Sequence, residues 1–251
     1  MENFEIKENN GKLNEIREKI LENIKSVRER IKIACERSGR NESEIKIVAV
    51  SKTFPSDFIK FAYEGGIRDF GENYVQEALK KINELKELKI TWHFIGHLQK
   101  NKAKLIPGNF DYFHSVDSIE PLKELEKRCS AAQKEIKALV QINIGKEQTK
   151  SGIMPENVFE FFEKALEFEP KYVKIRGLMI IPPPPKDKED SRKYFRELMK
   201  IKEECARKGI PENMLAEISA GMSDDFEVAI EEGATIVRLG RAIFFERERK
   251  K

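Results

Sequence analysis

Short apolar segments alternate with longer amphipathic ones along most of this chain, and no other feature constrains its fold as strongly. Eight segments are short and rich in apolar and β-branched residues, as strands covered on both faces are. They span residues 45–50, 67–70, 91–95, 112–116, 138–142, 173–180, 214–218 and 236–239. Since helical patterns fill several intervals at spacings typical of β-α-β units, the sequence predicts an α/β fold with parallel strands.

The number of these units predicts the architecture. Helical patterns cover residues 74–88, 119–132, 155–166 and 190–208. Eight β/α units in about 200 residues predict a single TIM-type (β/α)8 barrel over residues 45–245. A doubly wound open sheet is the alternative, because periodicity predicts alternation but not closure of the sheet. Four consecutive prolines at 182–185 predict a stiff extended loop inside the domain, since strand and helix patterns resume on either side.

Apolar residues also recur every three or four positions over residues 13–37. This spacing predicts a long amphipathic helix ahead of the barrel, residues 11–38, that ends at Ser38-Gly39. The whole chain, residues 1–251, is therefore interpreted as one domain.

Composition excludes several functional classes. The chain has 47 basic and 44 acidic side chains, so a net charge of +3 argues against nucleic-acid binding driven by charge. No apolar run approaches the roughly 20 residues that span a bilayer, and the polar N-terminus is unlike a secretory signal, so we expect no membrane association. The cysteines are odd in number and far apart, which predicts buried thiols of a cytoplasmic protein: Cys35, Cys129 and Cys205.

Polar residues follow nearly every predicted strand, where the active site of such a barrel lies. Lys52 comes directly after the first strand, where desolvation disfavours the charged ammonium and makes a neutral amine available for a Schiff base. The alternative is a lysine that merely extends from the top of the barrel into water.

Two glycine-containing turns follow the seventh and eighth strands, whose loops frequently bind phosphate in TIM-type barrels. The candidate residues are Ser219, Gly221, Met222, Ser223 and Gly240. Small residues let backbone amides approach an anion, and the helix that begins near Ser223 would direct its positive end toward it. The alternative is an ordinary helix N-cap at Ser223 or Asp224.

Arg238 lies between apolar residues, so it either pairs with a buried carboxylate or faces a ligand. A Schiff-base lysine, a phosphate site and an inward arginine together describe a pocket for pyridoxal phosphate, in which the arginine donates to the pyridine nitrogen. An arginine there keeps that nitrogen unprotonated and weakens the ring as an electron sink.

The remaining polar residues are weaker signals. His93 and His97 are four positions apart, but His93 ends a strand pattern, so a metal site is not expected. His114 is interpreted as a hydrogen-bonded structural histidine. A solvated basic face of a short helix accounts for Lys100, Lys102 and Lys104.

These residues fall within motifs by which the chain resembles the pyridoxal phosphate homeostasis protein family over nearly its whole length. The motifs are AVSKT at 49–53, FGENYVQE at 70–77, WHFIGHLQKNK at 92–102, HSVD at 114–117, QIN at 141–143, KSG at 150–152, RGLM at 176–179, GMSDDF at 221–226 and VRLG at 237–240. The resemblance implies a single barrel of the alanine racemase N-terminal type. It also implies pyridoxal phosphate bound as a Schiff base to Lys52.

Further roles follow from the resemblance alone. Asn73 would line the cofactor, Arg238 would face the pyridine nitrogen, and the phosphate would lie against the segment of Ser219, Met222, Ser223 and Gly240. Two departures from the family pattern are Ala220 in place of Met, and Phe244-Phe245-Glu246 in place of a Phe-Gly ending. We expect the first to leave the backbone donors intact and the second to alter only the packing of the C-terminal tail.

The resemblance favours a carrier and regulator that holds pyridoxal phosphate reversibly and has no catalytic residues. Such a protein helps to maintain the concentrations of free pyridoxal phosphate and of amino and keto acids. Partners would be the cofactor and pyridoxal-phosphate-dependent apo-enzymes, and we expect a monomer. An amino acid racemase or decarboxylase is the alternative, although the additional β-domain that supplies a second base in racemases of this fold type is not expected here. A class I aldolase, in which a barrel lysine bonds to a sugar phosphate, is a more distant alternative.

Overall fold

Eight parallel strands close into a barrel in chain order, with the last strand paired to the first. The structure, a computed structural model, describes residues 2–245, and the side chains of all of these except 2–10, 100 and 101. The strands are β1 (Lys46–Val50), β2 (Asp69–Glu72), β3 (Thr91–Phe94), β4 (Tyr112–Val116), β5 (Ile136–Ile142), β6 (Val173–Ile180), β7 (Glu217–Ser219) and β8 (Ile236–Leu239). Closure confirms the predicted barrel and excludes the open sheet.

Helices surround the barrel, in most of the intervals between the strands and after β8. They are α2 (Ser56–Glu64), α3 (Val75–Glu84), α4 (Ile119–Ala132), α5 (Val158–Phe168), α6 (Arg192–Arg207), α7 (Phe226–Glu231) and α8 (Arg241–Phe244). A 3₁₀ segment, Lys100–Leu105, connects β3 to β4. The predicted start of the seventh strand, at residue 214, was too early. Glu212–Met214 forms a 3₁₀ turn, and the strand pairs only from Glu217 onward.

The N-terminal helix α1 (Glu2–Ser38) begins before the apolar periodicity does. Its buried stripe is Ile20, Ile24, Val27, Ile31 and Ala34, which packs this helix against α2, α7 and α8. Asn23 Nδ2 donates to the Ile243 carbonyl oxygen at 3.0 Å, so the helix is also tied to the segment that follows β8. None of the helices in the described residues is long and apolar enough to cross a lipid bilayer.

The apolar core lies mainly between the barrel and its helices, and includes all three cysteine side chains, none of them in a disulfide. Burial raises the pKa of the Cys129 thiol to about 12 and that of Cys205 to about 11, so both stay protonated at neutral pH. Inside the barrel a separate small apolar cluster consists of Val48, Leu139, Met179 and Ile236. The rest of the interior contains polar side chains, which bear directly on the candidate site.

Candidate functional site

A cavity of about 560 Å³ opens at the end of the barrel where the strands reach their carboxyl ends. Its lining includes six of the eight residues that the sequence singled out: Lys52, Asn73, Met222, Ser223, Arg238 and Gly240. We name this cavity the mouth. Sequence reasoning missed its apolar wall, which consists of Val50, Ile95 and Ile181. The signal was available, because each of these residues lies at or just beyond the end of a strand.

Lys52 enters the mouth from a tight turn that follows β1. The Phe54 N–H donates to the Ser51 carbonyl oxygen at 3.0 Å, and Thr53 has a φ of 70°, in the left-handed region. The Thr53 N–H donates to Glu77 Oε1 at 2.5 Å. Since a β-branched residue is disfavoured at positive φ, the carboxylate of α3 holds the backbone beside Lys52 in a conformation it would otherwise avoid.

A buried cluster of charged groups lies beneath this turn, between β2 and α3. Lys81 Nζ is 2.7 Å from Glu72 Oε1 and 2.6 Å from Glu77 Oε1, and donates to the Ser51 carbonyl oxygen at 2.8 Å. The Ser51 hydroxyl also donates to Glu72 Oε1, at 2.7 Å. Burial raises the pKa of the Glu72 carboxyl, while the charge of Lys81 opposes that rise. We call these four residues the ion-pair cluster; they anchor the segment that presents Lys52.

Arg238 projects from β8 into the barrel and is 4% exposed. Its Nη1 donates to Ser219 Oγ at 2.6 Å and its Nη2 donates to the Ile180 carbonyl oxygen at 2.8 Å. Burial lowers the pKa of the guanidinium to about 10, and Asp225 opposes that shift. The sequence left two interpretations open for Arg238: pairing with a buried carboxylate, or facing a ligand. Its hydrogen-bond partners are neutral oxygens rather than a carboxylate, and the arginine also lines the mouth.

The loops after β7 and β8 meet at the rim of the mouth. Ser223 Oγ accepts from the Ala242 N–H at 3.2 Å, and Asp224 and Arg241 form an ion pair. Asp225, rather than Ser223 or Asp224, holds the position before α7, and its carboxylate accepts from the Met222 N–H at 2.8 Å. The two glycine-containing turns are therefore joined, while the alternative of a Ser223 or Asp224 cap is not what the loop forms.

Two candidate residues do not line the mouth. Gly221 has a φ of 90°, and a Cβ there would lie 2.6 Å from Ala229 Cβ and 2.9 Å from Phe226 Cα, so the loop requires glycine. Ser219 is fully buried beneath the mouth, where its hydroxyl contacts Arg238 and His114. Both residues therefore support the mouth from below or behind.

The histidines do not form a cluster of metal ligands. His93 and His114 are completely buried in the barrel interior, whereas the His97 side chain is 67% exposed and lies 3.8 Å from Asp117. Burial lowers the pKa of His93 and takes that of His114 well below its ordinary value. Within the described part of the chain, no group of His, Cys, Asp and Glu side chains could hold a metal ion.

The two departures from the family pattern fall in different places. Ala220 is buried in the core and does not line the mouth. Phe245 does line it, at a φ of 83° that favours glycine, and its ring lies edge-on to Phe58 with centroids 6.4 Å apart. The expectation that this departure alters only the packing of the tail is therefore wrong. Glu246 lies outside the described residues.

Comparison with known proteins relates this geometry to named relatives. A family model described as alanine racemase, N-terminal domain, matches residues 22–248. The pyridoxal phosphate homeostasis protein of Aquifex aeolicus is 46% identical over 227 residues, which are 90% of this chain and 98% of that protein.

Solved structures give the same picture. PipY from Synechococcus elongatus PCC7942 with PLP bound has a TM-score of 0.77 and 33% identity, covering 90% of this chain and 99% of PipY. Alanine racemase from Clostridium difficile 630 has a TM-score of 0.68 at 16% identity, covering 91% of this chain and 58% of the racemase. At that identity the racemase shows a shared fold alone.

Proposed function

The chain belongs to the pyridoxal phosphate homeostasis protein family. We therefore propose that it binds pyridoxal 5'-phosphate in the mouth and helps to maintain the intracellular concentrations of that cofactor and of amino and keto acids. The observation that carries this proposal is the meeting of Lys52, Asn73, Arg238 and the loops after β7 and β8 around one cavity. Its volume of about 560 Å³ is within the usual range of small-molecule sites.

The polar groups in the mouth fit the cofactor. The Asn73 Oδ1 atom is buried and has no hydrogen-bond partner among the described residues, which leaves an acceptor for a ligand hydroxyl. Arg238 offers a buried cation with further N–H groups, suited to the ring nitrogen. Ser223, Met222 and Gly240 would hold the phosphate between the joined loops.

We assign Lys52 as the covalent anchor. The cofactor supplies an aldehyde when bound, and the neutral Lys52 amine would add to its carbon, with a C=N bond forming as the carbonyl oxygen leaves as water. This step needs no oxidant and reverses by hydrolysis, which suits storage and release. The turn held by Glu77 and the ion-pair cluster would orient the amine for it.

The lining favours a carrier over an enzyme. Lys52, Asp224, Arg238 and Arg241 are the titratable residues among those that line the mouth in the described part of the chain. Asp224 and Arg241 are paired with each other, and an arginine remains protonated at neutral pH. A two-base racemase needs a second proton acceptor beside its lysine, and the described lining offers no histidine, tyrosine or cysteine for that role.

The covalent assignment is tested by adding pyridoxal phosphate to the purified protein, recording its visible spectrum, reducing with borohydride and mapping the modified peptide. We expect one adduct, on Lys52, and none in Lys52→Arg. Lys102→Arg is the matched control, since Lys102 lines the smaller neighbouring cavity and should leave the labelling unchanged. Labelling spread over surface lysines, or retained in Lys52→Arg, would contradict the assignment.

Turnover requires its own assay, because a covalent cofactor is common to carriers and enzymes. We expect no racemisation or decarboxylation across a panel of amino acids with the loaded protein, and sustained turnover would establish the enzymatic alternative. A carrier also implies recipients, for which pyridoxal-phosphate-dependent apo-enzymes are the natural class. We further propose that the protein is a cytoplasmic monomer. Three buried cysteines outside any disulfide support the cytoplasmic compartment. Light scattering would test the monomeric mass.

A further inference from the structure

A continuous chain of hydrogen bonds runs through the barrel from the mouth to its opposite end. Arg238 Nη1 is 2.6 Å from Ser219 Oγ, and Ser219 Oγ is 3.0 Å from His114 Nδ1. His114 Nε2 is 2.8 Å from His93 Nδ1, and His93 Nε2 is 2.8 Å from Asp69 Oδ1. We call these five residues the polar chain. His93 and His114 fall within the family motifs, but neither these motifs nor the proposed cofactor contacts give a role to the three lower members, Asp69, His93 and His114.

The two ends of the polar chain define its direction. Arginine has only donors, so Ser219 Oγ must accept from Arg238 and its own proton is available for His114 Nδ1. His114 then carries its proton on Nε2 and donates to His93 Nδ1. His93 in turn carries its proton on Nε2 and donates to the Asp69 carboxylate. Every bond points the same way, and both imidazoles are neutral.

The opposite direction is disfavoured by the environment. If His93 Nδ1 donated to His114, then His93 Nε2 would face the Asp69 carboxylate without a proton, unless His93 became a cation. His93 is completely buried and is stacked on Tyr112 with ring centroids 4.4 Å apart, so desolvation opposes that charge. Lys46 Nζ also lies 3.9 Å from Asp69, adding a further positive charge nearby.

We infer that Asp69, His93 and His114 are positioning residues, which hold the Ser219 hydroxyl as an acceptor for Arg238 and thereby fix the guanidinium at the base of the mouth. With Nη1 on Ser219 of β7 and Nη2 on the Ile180 carbonyl oxygen of the neighbouring β6, the plane of the guanidinium is set by two bonds to adjacent strands. The inference rests on the proposed function for the identity of the ligand, while the direction of the chain does not depend on it.

Histidine NMR tests that direction in the protein without added cofactor. The chain has only three histidines, so ¹⁵N-histidine labelling gives three ring systems, with exposed His97 as the internal reference. We expect His93 and His114 to be neutral at pH 7 and to carry the proton on Nε2. A proton on Nδ1 of either ring, or a cationic ring, would overturn the inference.

Variants test whether the direction matters at the mouth. In Asp69→Asn the amide can donate to His93 Nε2, so we expect the Nδ1–H tautomer of His93 to appear and the visible band of the bound cofactor to shift. Asp111→Asn is the matched control, because Asp111 also places a carboxylate near His93 at the same end of the barrel, but the hydrogen bond it accepts among the described residues comes from the Trp92 N–H, outside the polar chain. It should change neither signal.

Ser219→Ala removes the acceptor itself, and we expect pyridoxal phosphate to bind roughly tenfold more weakly with a shifted visible band. A shift in Ser219→Ala with none in Asp69→Asn would mean that the lower members do not position Arg238. The two proposals fail separately: if the wild-type protein binds no cofactor, the proposed function fails, while the tautomers still decide the direction of the chain.

Discussion

The inner and outer faces of the barrel wall bury polar groups in two different ways, although both draw on β2. Glu72 points outward to α3, where the ion-pair cluster matches two carboxylates against one ammonium. Asp69, three residues earlier, points inward and ends the polar chain, whose buried members between it and Arg238 are neutral. One region compensates buried charge with opposite charge, and the other avoids charge by ordering its protons.

The difference shows what each region can tolerate. The two charges of an ion pair still attract each other after a small change of geometry. Loss of one partner strongly destabilises the fold, because the other partner remains as an uncompensated buried charge. An ordered chain of neutral groups loses less when one bond breaks, but it depends on which nitrogen of each imidazole carries the proton. Changes of sequence should therefore affect the outer face most, and changes of pH the inner face.

Removing the ammonium of the ion-pair cluster should have the largest effect on stability. We expect Lys81→Met to lower the free energy of unfolding by about 3–5 kcal/mol at pH 7, since Glu72 is left buried without its cation. Urea unfolding followed by circular dichroism measures this change. The loss should shrink at lower pH, because Glu72 can then take up a proton.

Lys80→Met is the matched control for that variant. Lys80 is the preceding residue of α3, its side chain is 80% exposed, and it lies 3.9 Å from Glu84. We expect its urea midpoint to match that of the wild-type protein. Equal effects of the two substitutions would show that burial of the Lys81 pair does not matter to stability.

The inner face should respond to pH. Burial lowers the pKa of His93 and of His114 below the ordinary value of 6.5, so below that pH the unfolded chain binds protons that the folded chain does not. Stability should therefore fall as the pH falls from 6.5, by up to about 1.4 kcal/mol per pH unit for each histidine. The raised pKa of Glu72 acts in the opposite sense at lower pH, since the folded state there retains its proton more readily than the unfolded chain.

Urea unfolding at pH 7.5, 6.5 and 5.5 measures this slope. In His114→Gln one of the two titrating groups is gone, so stability should depend less steeply on pH over the same interval. A slope that is flat in the wild-type protein, or identical in His114→Gln, would contradict the assignment of neutral buried histidines.

A smaller effect is expected from loss of one hydrogen bond within the ion-pair cluster. Ser51→Ala removes the hydroxyl that donates to Glu72 Oε1 at 2.7 Å but leaves Lys81 in place. We expect a loss of about 1–2 kcal/mol, the usual range for a buried hydrogen bond to a charged group. Ser56→Ala is its control, because Ser56 also donates to a glutamate, Glu84, but at the exposed surface. A larger loss in the control than in Ser51→Ala would reverse the comparison.

Much of the fold and of the mouth was predictable from the sequence because both follow from periodicity. Strand patterns identified eight strands, and the carboxyl ends of parallel strands in a barrel must converge on one opening. Lys52, Asn73 and Arg238 meet there for that reason. The bounds of β2 were less predictable, since Gly71 and the charged Glu72 continue the strand beyond its apolar run.

Neither polar region could be predicted in the same way. Lys81 lies within a helical pattern, where a lysine is expected at the surface by default. Only the packing of α3 on β2 brings it to Glu72. Similarly, His93, His114 and Ser219 come from strands β3, β4 and β7, and their contacts depend on barrel closure and register rather than on spacing. A single sequence contains no local signal for partners so far apart along the chain.

The smallest effect should come from an ion pair with the same chemistry as the Lys81 pair but outside the fold's interior. Glu160 and Lys164 lie four residues apart on α5 with Oε1 and Nζ separated by 2.6 Å, as close as Lys81 and Glu77, yet their side chains are 59% and 53% exposed. Water solvates either partner when the other is removed, and holding two long side chains together costs conformational entropy. We therefore expect Lys164→Met to leave the urea midpoint within error of the wild-type value.

A loss of stability comparable to that of Lys81→Met would mean that distance rather than burial governs the strength of ion pairs in this protein. The contrast between the two faces of the barrel would then need another explanation.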